Sequence, residues 1–254
     1  MDNDSILQAL VAMSNHLGDP ANDFSIMGEG NTSARADEKT FWVKTSGYEL
    51  RTMKADGFVR CAFDRILPLL DRSNVTDEVV KDELAGARVD PGAKGHPSVE
   101  ALLHALCLQL EGINFVGHTH PTAINAIACS GAFDTAFKGR IFPDEIVVCG
   151  PAPLLIPYTD PGVPLARRIK QGIDRHGDEY GELPRVILMQ NHGMIALGRN
   201  PVHVQNLTAM MVKTARILLG TFAVGGPRFL SQADVDRIHT RPDEARRRQH
   251  LKLE

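Results

Sequence analysis

The chain has 254 residues, 43% of them hydrophobic and 23% charged, and its 28 Lys and Arg against 31 Asp and Glu leave a net charge of -3. That length can bury a large core as one undivided α/β domain over residues 1–254, and the charge balance excludes an electrostatic case for nucleic acid or an anionic membrane. No apolar run approaches the roughly 18 residues of a membrane helix, and the first residues carry no basic, apolar leader, so the expectation is a cytoplasmic protein.

Cys61, Cys107, Cys129 and Cys149 are scattered without a CxxC pair. Cys107 and Cys129 lie in apolar runs, the pattern of free buried thiols in a reducing compartment. Residues 5–17 set Ile6, Leu7, Leu10, Val11 and Leu17 at amphipathic-helix spacing, with Asp4 or Ser5 as the cap and Gly18-Asp19-Pro20 as the end. Residues 28–35 form a polar, glycine-bearing loop. Its glycines let backbone N–H groups approach a ligand, and Asn31 and Thr32 add short polar side chains, although a plain turn explains the same residues. Residues 40–45 read as a strand running into Ser46-Gly47, a second candidate oxyanion loop. A strand and a short helix follow to residue 70, and the charged residues 71–95 read as one long connection.

Pro97 is suited to open a helix, with Ser98 and Glu100 in its first turn; Leu102, Leu103, Leu106 and Leu110 supply the buried stripe, and Gly112 closes it. His104 flanks that stripe and reads as a packed core histidine. An apolar strand over 113–117 then delivers His118-Thr119-His120. Side chains alternate along a strand, so the two histidines leave one face about 7 Å apart. Two imidazoles so placed suit one divalent ion, with the Glu100 carboxylate as ligand or proton carrier; two surface histidines are the plainer alternative.

Residues 121–130 resume a helical pattern, and 141–158 read as two short strands, IVV and LLI. Residues 163–176 form an amphipathic helix with Arg167, Arg168 and Lys170 outside. Apolar strands over 185–190 and 194–197 flank Asn191-His192-Gly193, which makes His192 the third candidate ligand. A long helix follows over 201–220. The tail from about 241 is charged, and Arg246-Arg247-Arg248 reads as a solvated helix face or frayed end. Of the other histidines, His16, His176, His239 and His250 sit in helical or charged surface contexts, while His96 adjoins the site as a candidate substrate contact.

The GNTSAR loop, the KTSG strand end, PSVE before a helix, HTHP, and NHG before an apolar strand occur in the order found in class II aldolase/adducin proteins. The chain resembles this family over roughly residues 5–220, and PSVE resembles the aldolase portion of bifunctional aldolase/short-chain dehydrogenase proteins. The resemblance implies a three-layer α/β/α sandwich around a mostly antiparallel sheet, and a homotetramer. It implies Zn²⁺ held by His118, His120 and His192, with Mn²⁺, Co²⁺ or Fe²⁺ suiting the same donors. It also implies Glu100 as resting ligand or acid/base, and Gly30, Asn31, Ser46, Gly47 and Ser98 around a substrate phosphate.

One departure stands out: Val99 occupies the place of a second phosphate-binding serine. Lys44 and Lys94 could compensate its lost hydroxyl or be ordinary surface lysines. The function so implied is a metal-dependent lyase, an aldolase acting on a small hydroxy-carbonyl substrate such as a sugar phosphate through an enediolate. A decarboxylase or epimerase of a sugar acid or keto acid is the first alternative, and a non-catalytic adducin-like structural domain the second.

Overall fold

A computed structural model describes residues 2–251. Seven strands form one sheet: β1 (Asn31–Arg35), β2 (Thr40–Lys44), β3 (Phe58–Ala62), β4 (Phe115–Thr119), β5 (Leu154–Ile156), β6 (Val186–Met189) and β7 (Gly193–Gly198). Their order is β3-β2-β1-β4-β7-β6-β5. Every neighbouring pair is antiparallel except β5 with β6.

The helices are α1 (Asn3–Leu17), α2 (Phe63–Ile66), α3 (Asp77–Gly86), α4 (Ala101–Leu108), α5 (Thr122–Ala128), α6 (Phe133–Ala136), α7 (Pro143–Cys149), α8 (Val163–Tyr180), α9 (Pro201–Phe222), α10 (Gln232–Thr240) and α11 (Pro242–His250). Side-chain alternation along the strands divides the core in two. Val43, Val116, Ile187, Ile195 and Leu197 pack with α2, α3, α4 and α8 on one face. Ala34, Phe115, Val186, Leu188, Met194 and Ala196 pack with α1, α5, α6, α7 and α9 on the other. This is the expected three-layer α/β/α sandwich with a mostly antiparallel sheet.

Several local expectations change. The cap of α1 is Asp2, whose carboxylate accepts from the Ser5 N–H at 2.8 Å, rather than Asp4 or Ser5. Residues 31–35 of the expected loop 28–35 are β1, because central strands can be polar where both faces find partners: Thr32 meets Ser14 on α1, and Ser33 meets His104 on α4. The expected connection 71–95 contains α3, capped by Thr76 and anchored by Val80 and Leu84 one turn apart. IVV is not a strand but lies in α7, behind Pro143, Asp144 and Glu145; so short an apolar run carries no period of its own.

The helix expected from Pro97 to Gly112 is shorter. Pro97 forms a bridge to Thr45, Glu100 is the N-cap of α4, and the C-cap is Gln109. Gly112 instead supplies a positive φ of 76° in the turn before β4. Cys61, Cys107 and Cys149 are free and buried, whereas Cys129, expected inside, is exposed at the end of α5. His176 is buried rather than on the surface, its ring facing the Glu182 carbonyl at 3.0 Å, because α8 runs on to Tyr180 and packs there. Of the charged tail, Pro242–His250 is helical, and Arg248 is buried, donating to the His239 carbonyl; residues 252–254 of that expectation lie outside the described residues.

Candidate metal centre

The parity of β4 decides where the site lies. Gly117 faces α9, where an added Cβ would strike Val204, so Val116 and His118 face α4. His118 is fully buried, and its Nδ1 lies 2.9 Å from the Met194 carbonyl. A carbonyl only accepts, so Nδ1 carries the proton and the Nε2 lone pair is presented to the site. His120, just beyond β4, is pinned by its backbone N–H on the Phe24 carbonyl at 2.9 Å. Its Nδ1 faces Glu29 Oε2 at 3.3 Å, so its Nε2 is presented in the same way, 3.0 Å from Nε2 of His118.

His192 arrives from the β6–β7 turn. Asn191 takes a left-handed φ of 55° there, and the His192 carbonyl accepts from Asn125 Nδ2 at 3.0 Å. The ring centroids of the three histidines are 4.7, 4.9 and 5.2 Å apart, and the ring nitrogens they offer all lie within 4.8 Å of one another. The approach depends on Gly193, where a Cβ would come within 2.5 Å of the Thr119 carbonyl oxygen and 2.6 Å of His120 Cδ2.

Glu100 closes the cluster from the start of α4. Its Oε2 accepts from Asn31 Nδ2 at 2.6 Å and lies 3.5 Å from His118 Nε2. Its Oε1 is 3.2 Å from His192 Nε2 but off the line of a hydrogen bond, and is otherwise buried without a partner. Burial alone would raise the Glu100 pKa, but His118, His192 and the Asn31 amide outweigh it and hold the carboxyl below the usual range. Burial also pushes His118 and His120 down, His120 to about 4, so both rings are neutral and able to ligate.

This donor set fits a divalent cation. Three imidazoles and a carboxylate oxygen match the ligands of Zn²⁺ and its neighbours. Nε2 lone pairs that face each other at 3.0 Å, beside a partnerless Glu100 Oε1, are reconciled by a shared positive charge. The contacts of His118 and His120 through Nδ1 have the form of the outer hydrogen bonds that orient histidines in metal sites.

Of the expected substrate-binding residues, Gly30, Asn31 and Ser98 lie against this cluster. Gly30, with φ 69°, lets β1 start against β4, since a Cβ there would meet the His118 carbonyl at 2.6 Å. Asn31 Nδ2 also reaches Ser98 Oγ at 3.3 Å. Ser46 N–H donates to the His96 carbonyl and Ser98 N–H to the Lys44 carbonyl, tying the exposed Ser46-Gly47 turn to the segment before Glu100. Val99 is 59% exposed and lines a surface groove with Val75, Val80 and Val163.

Three features here were not legible in the sequence: the burial of Lys44, the support of His120 by Glu29 and the polar company of His104. Lys44 is 3% exposed, not a surface lysine, and its ammonium donates to the Gly28 carbonyl at 3.2 Å. Lys94 does stay exposed. Glu29 supports His120, and the only signal for it was a carboxylate between two glycines. His104 is buried as expected, but in polar company, between Ser33 and Asn31.

Residues 8–219, which enclose all of these positions, match the Class II Aldolase and Adducin N-terminal domain. The chain belongs to the class II aldolase and adducin family. A curated relative, the uncharacterized oxidoreductase YuxG of Bacillus subtilis, is 33% identical over 196 residues, covering 74% of this chain. The match spans only 26% of that protein's length. Among solved structures, an L-fuculose 1-phosphate aldolase superposes with a TM-score of 0.71 at 18% identity, covering 94% of this chain and 96% of the aldolase. YgbL from Klebsiella pneumoniae gives 0.70 at 19%, covering 94% and 99%. The N-terminal class II aldolase domain of a Thermoplasma acidophilum protein gives 0.67 at 24%, covering 86% and 96%. These structures share the class II aldolase fold.

Proposed function

We propose that the chain is a metal-dependent lyase that breaks or forms a C–C bond in a small hydroxy-carbonyl substrate such as a sugar phosphate. His118, His120 and His192 hold the metal, Zn²⁺ in the first instance, and Glu100 moves the proton. The observation that carries this reading is the convergence of three imidazoles on one space that Glu100 Oε1 also faces. A divalent cation held there supplies Lewis-acid polarisation of the substrate carbonyl.

The chain's own residues divide the remaining work. Asn31 occupies Glu100 Oε2, which leaves Oε1 to take a proton or return one at the carbon beside the carbonyl. In the cleavage direction the hydroxyl of the departing half gives up its proton to water and becomes the aldehyde C=O, the C–C bonding pair passes into an enediolate, and a proton returned to that carbon completes the turnover. Ser98 and Asn31, with the Ser46-Gly47 turn, orient the substrate's anionic group, and the buried Lys44 ammonium adds positive charge nearby. The missing hydroxyl at Val99 favours a second reading, decarboxylation or epimerisation of a sugar acid or keto acid. An adducin-like structural role is disfavoured because the three histidines and Glu100 are all present.

We further propose that the chain works as one aldolase unit, in the cytoplasm, as a homotetramer. The free buried thiols support that compartment, and the exposed apolar residues of α9 and beyond, Ile217, Leu219, Phe222 and Val224, support association. The test is to measure bound metal and to assay sugar phosphates and sugar acids for aldehyde and CO₂ release, before and after chelation. Loss of turnover on chelation, restored by Zn²⁺, Mn²⁺, Co²⁺ or Fe²⁺, is expected; turnover indifferent to metal would overturn the proposal.

A further inference from the structure

Glu100 and His104 are spaced i, i+4 at the start of α4, which sets them on one side of the helix about 6 Å apart. Asn31 and Ser33 are spaced i, i+2 on β1, which sets them on one face about 6.6 Å apart. The two spacings nearly match, and the pairs meet as two rungs. Asn31 contacts Glu100, Ser33 contacts His104, and His104 also reaches Asn31 across the diagonal. All four side chains are buried.

The chemistry of one end fixes the rest. The Asn31 NH₂ group lies between two oxygens, donating to Glu100 Oε2 at 2.6 Å and to Ser98 Oγ at 3.3 Å, which fixes the amide's orientation. Asn31 Oδ1 therefore faces His104 Nε2, which must carry a hydrogen. Burial holds His104 at about 3, so the ring is neutral, and its bare Nδ1 accepts from the Ser33 hydroxyl at 2.7 Å. A flipped Asn31 would set oxygen against carboxylate and NH₂ against N–H, two repulsive contacts in a buried site.

We propose that His104 is a positioning residue for proton transfer. By donating from Nε2 it locks the Asn31 amide in the orientation that holds Glu100 Oε2, and so reserves Oε1 for the substrate proton. The inference rests on the reading of Glu100 as proton carrier. A histidine present only for packing is replaceable by an apolar side chain of similar size, whereas a positioning one needs a donor where Nε2 stands.

Two measurements test this separately. In ¹⁵N-labelled protein, NMR is expected to show His104 as the neutral Nε2–H tautomer and the Asn31 side-chain amide as slowly exchanging. His104→Leu and Ser33→Ala should speed that exchange, and His104→Gln, which keeps a donor, should restore it. The second measurement follows hydrogen–deuterium exchange beside the carbonyl of dihydroxyacetone, catalysed by the metal-loaded protein. His104→Leu should lower the exchange kcat roughly tenfold or more, with KM and bound metal within about twofold, and His104→Gln should recover most of it. An Nδ1–H tautomer, or a Gln variant no better than Leu at equal stability, overturns the positioning role. Absence of exchange in the wild type, with the amide results as expected, refutes the proton-carrier reading while the lock on Asn31 stands. If His104→Leu does not fold, Ser33→Ala in the amide measurement decides.

Discussion

Gly193→Ala isolates what holds the three imidazoles together, because it touches no ligand atom and alters no charge. The added methyl would lie 2.5 Å from the Thr119 carbonyl oxygen, about 0.9 Å short of the 3.4 Å at which ordinary contact begins, and 2.6 Å from His120 Cδ2. The Thr119 oxygen belongs to β4 and cannot rotate away, so β4 and β7 must separate or His120 must swing. Ligand distances in metal sites tolerate only about 0.2 Å, so a shift of that size should weaken divalent-metal affinity at least tenfold, about 1.4 kcal/mol. Overpacking should also cost roughly 1–3 kcal/mol of stability, a fall in Tm of several degrees for a chain this long. Competition for Zn²⁺ against a chromogenic chelator and urea melts of the metal-free protein measure the two effects. Gly177→Ala is the control: nothing lies within 4 Å of a Cβ there in α8, and removing a helical glycine should stabilise by about 0.5–1 kcal/mol. Wild-type metal affinity and an unchanged melt in Gly193→Ala would refute the argument that close backbone approach at this position sets the ligand spacing.

Chelation should lower the melting temperature and His192→Ala should abolish the response to added metal, since metal at about 100 times its Kd stabilises the folded state by ~2.7 kcal/mol; equal melts with and without metal would count against the site. Burial, with Arg185 and Arg199 adding to it, holds His203 at about 4 against 6.5 for a free imidazole, so the unfolded chain binds this proton first as pH falls. That contribution is fully present above pH 6.5 and is lost between 6.5 and 4, by up to ~3 kcal/mol; urea melts across this range should show a shallower acid slope in His203→Gln than in the wild type. Burial pushes the thiols of Cys61, Cys107 and Cys149 up to about 12, whereas Cys129 is exposed. Ellman's reagent should therefore titrate one thiol in the native protein and four after unfolding, and rapid native reaction of more than one would contradict the packing.

Short-range rules determined much of this protein directly from its sequence. The apolar runs before His118 and around His192 declared strands, because alternation and β-branched bulk act over a few residues, and HTHP fixed two imidazoles on one face without knowledge of the fold. The order of GNTSAR, KTSG, PSVE, HTHP and NHG carried the family, and with it the layer architecture. Elements whose identity depends on remote partners were not legible. IVV in α7 has no period of its own, and Asn31-Thr32-Ser33 is a strand only because β4, α1 and α4 satisfy its polar side chains from both faces. The same holds within the site. Sequence named Glu100 and the three histidines, but the burial of Lys44 and the support of His120 by Glu29 arise only in the folded chain, and the relay from Ser33 through His104 to Asn31 exists only once α4 is laid across β1. Hydrogen bonds and desolvation depend on separations of a few ångströms between groups tens of residues apart, and only the tertiary structure sets those.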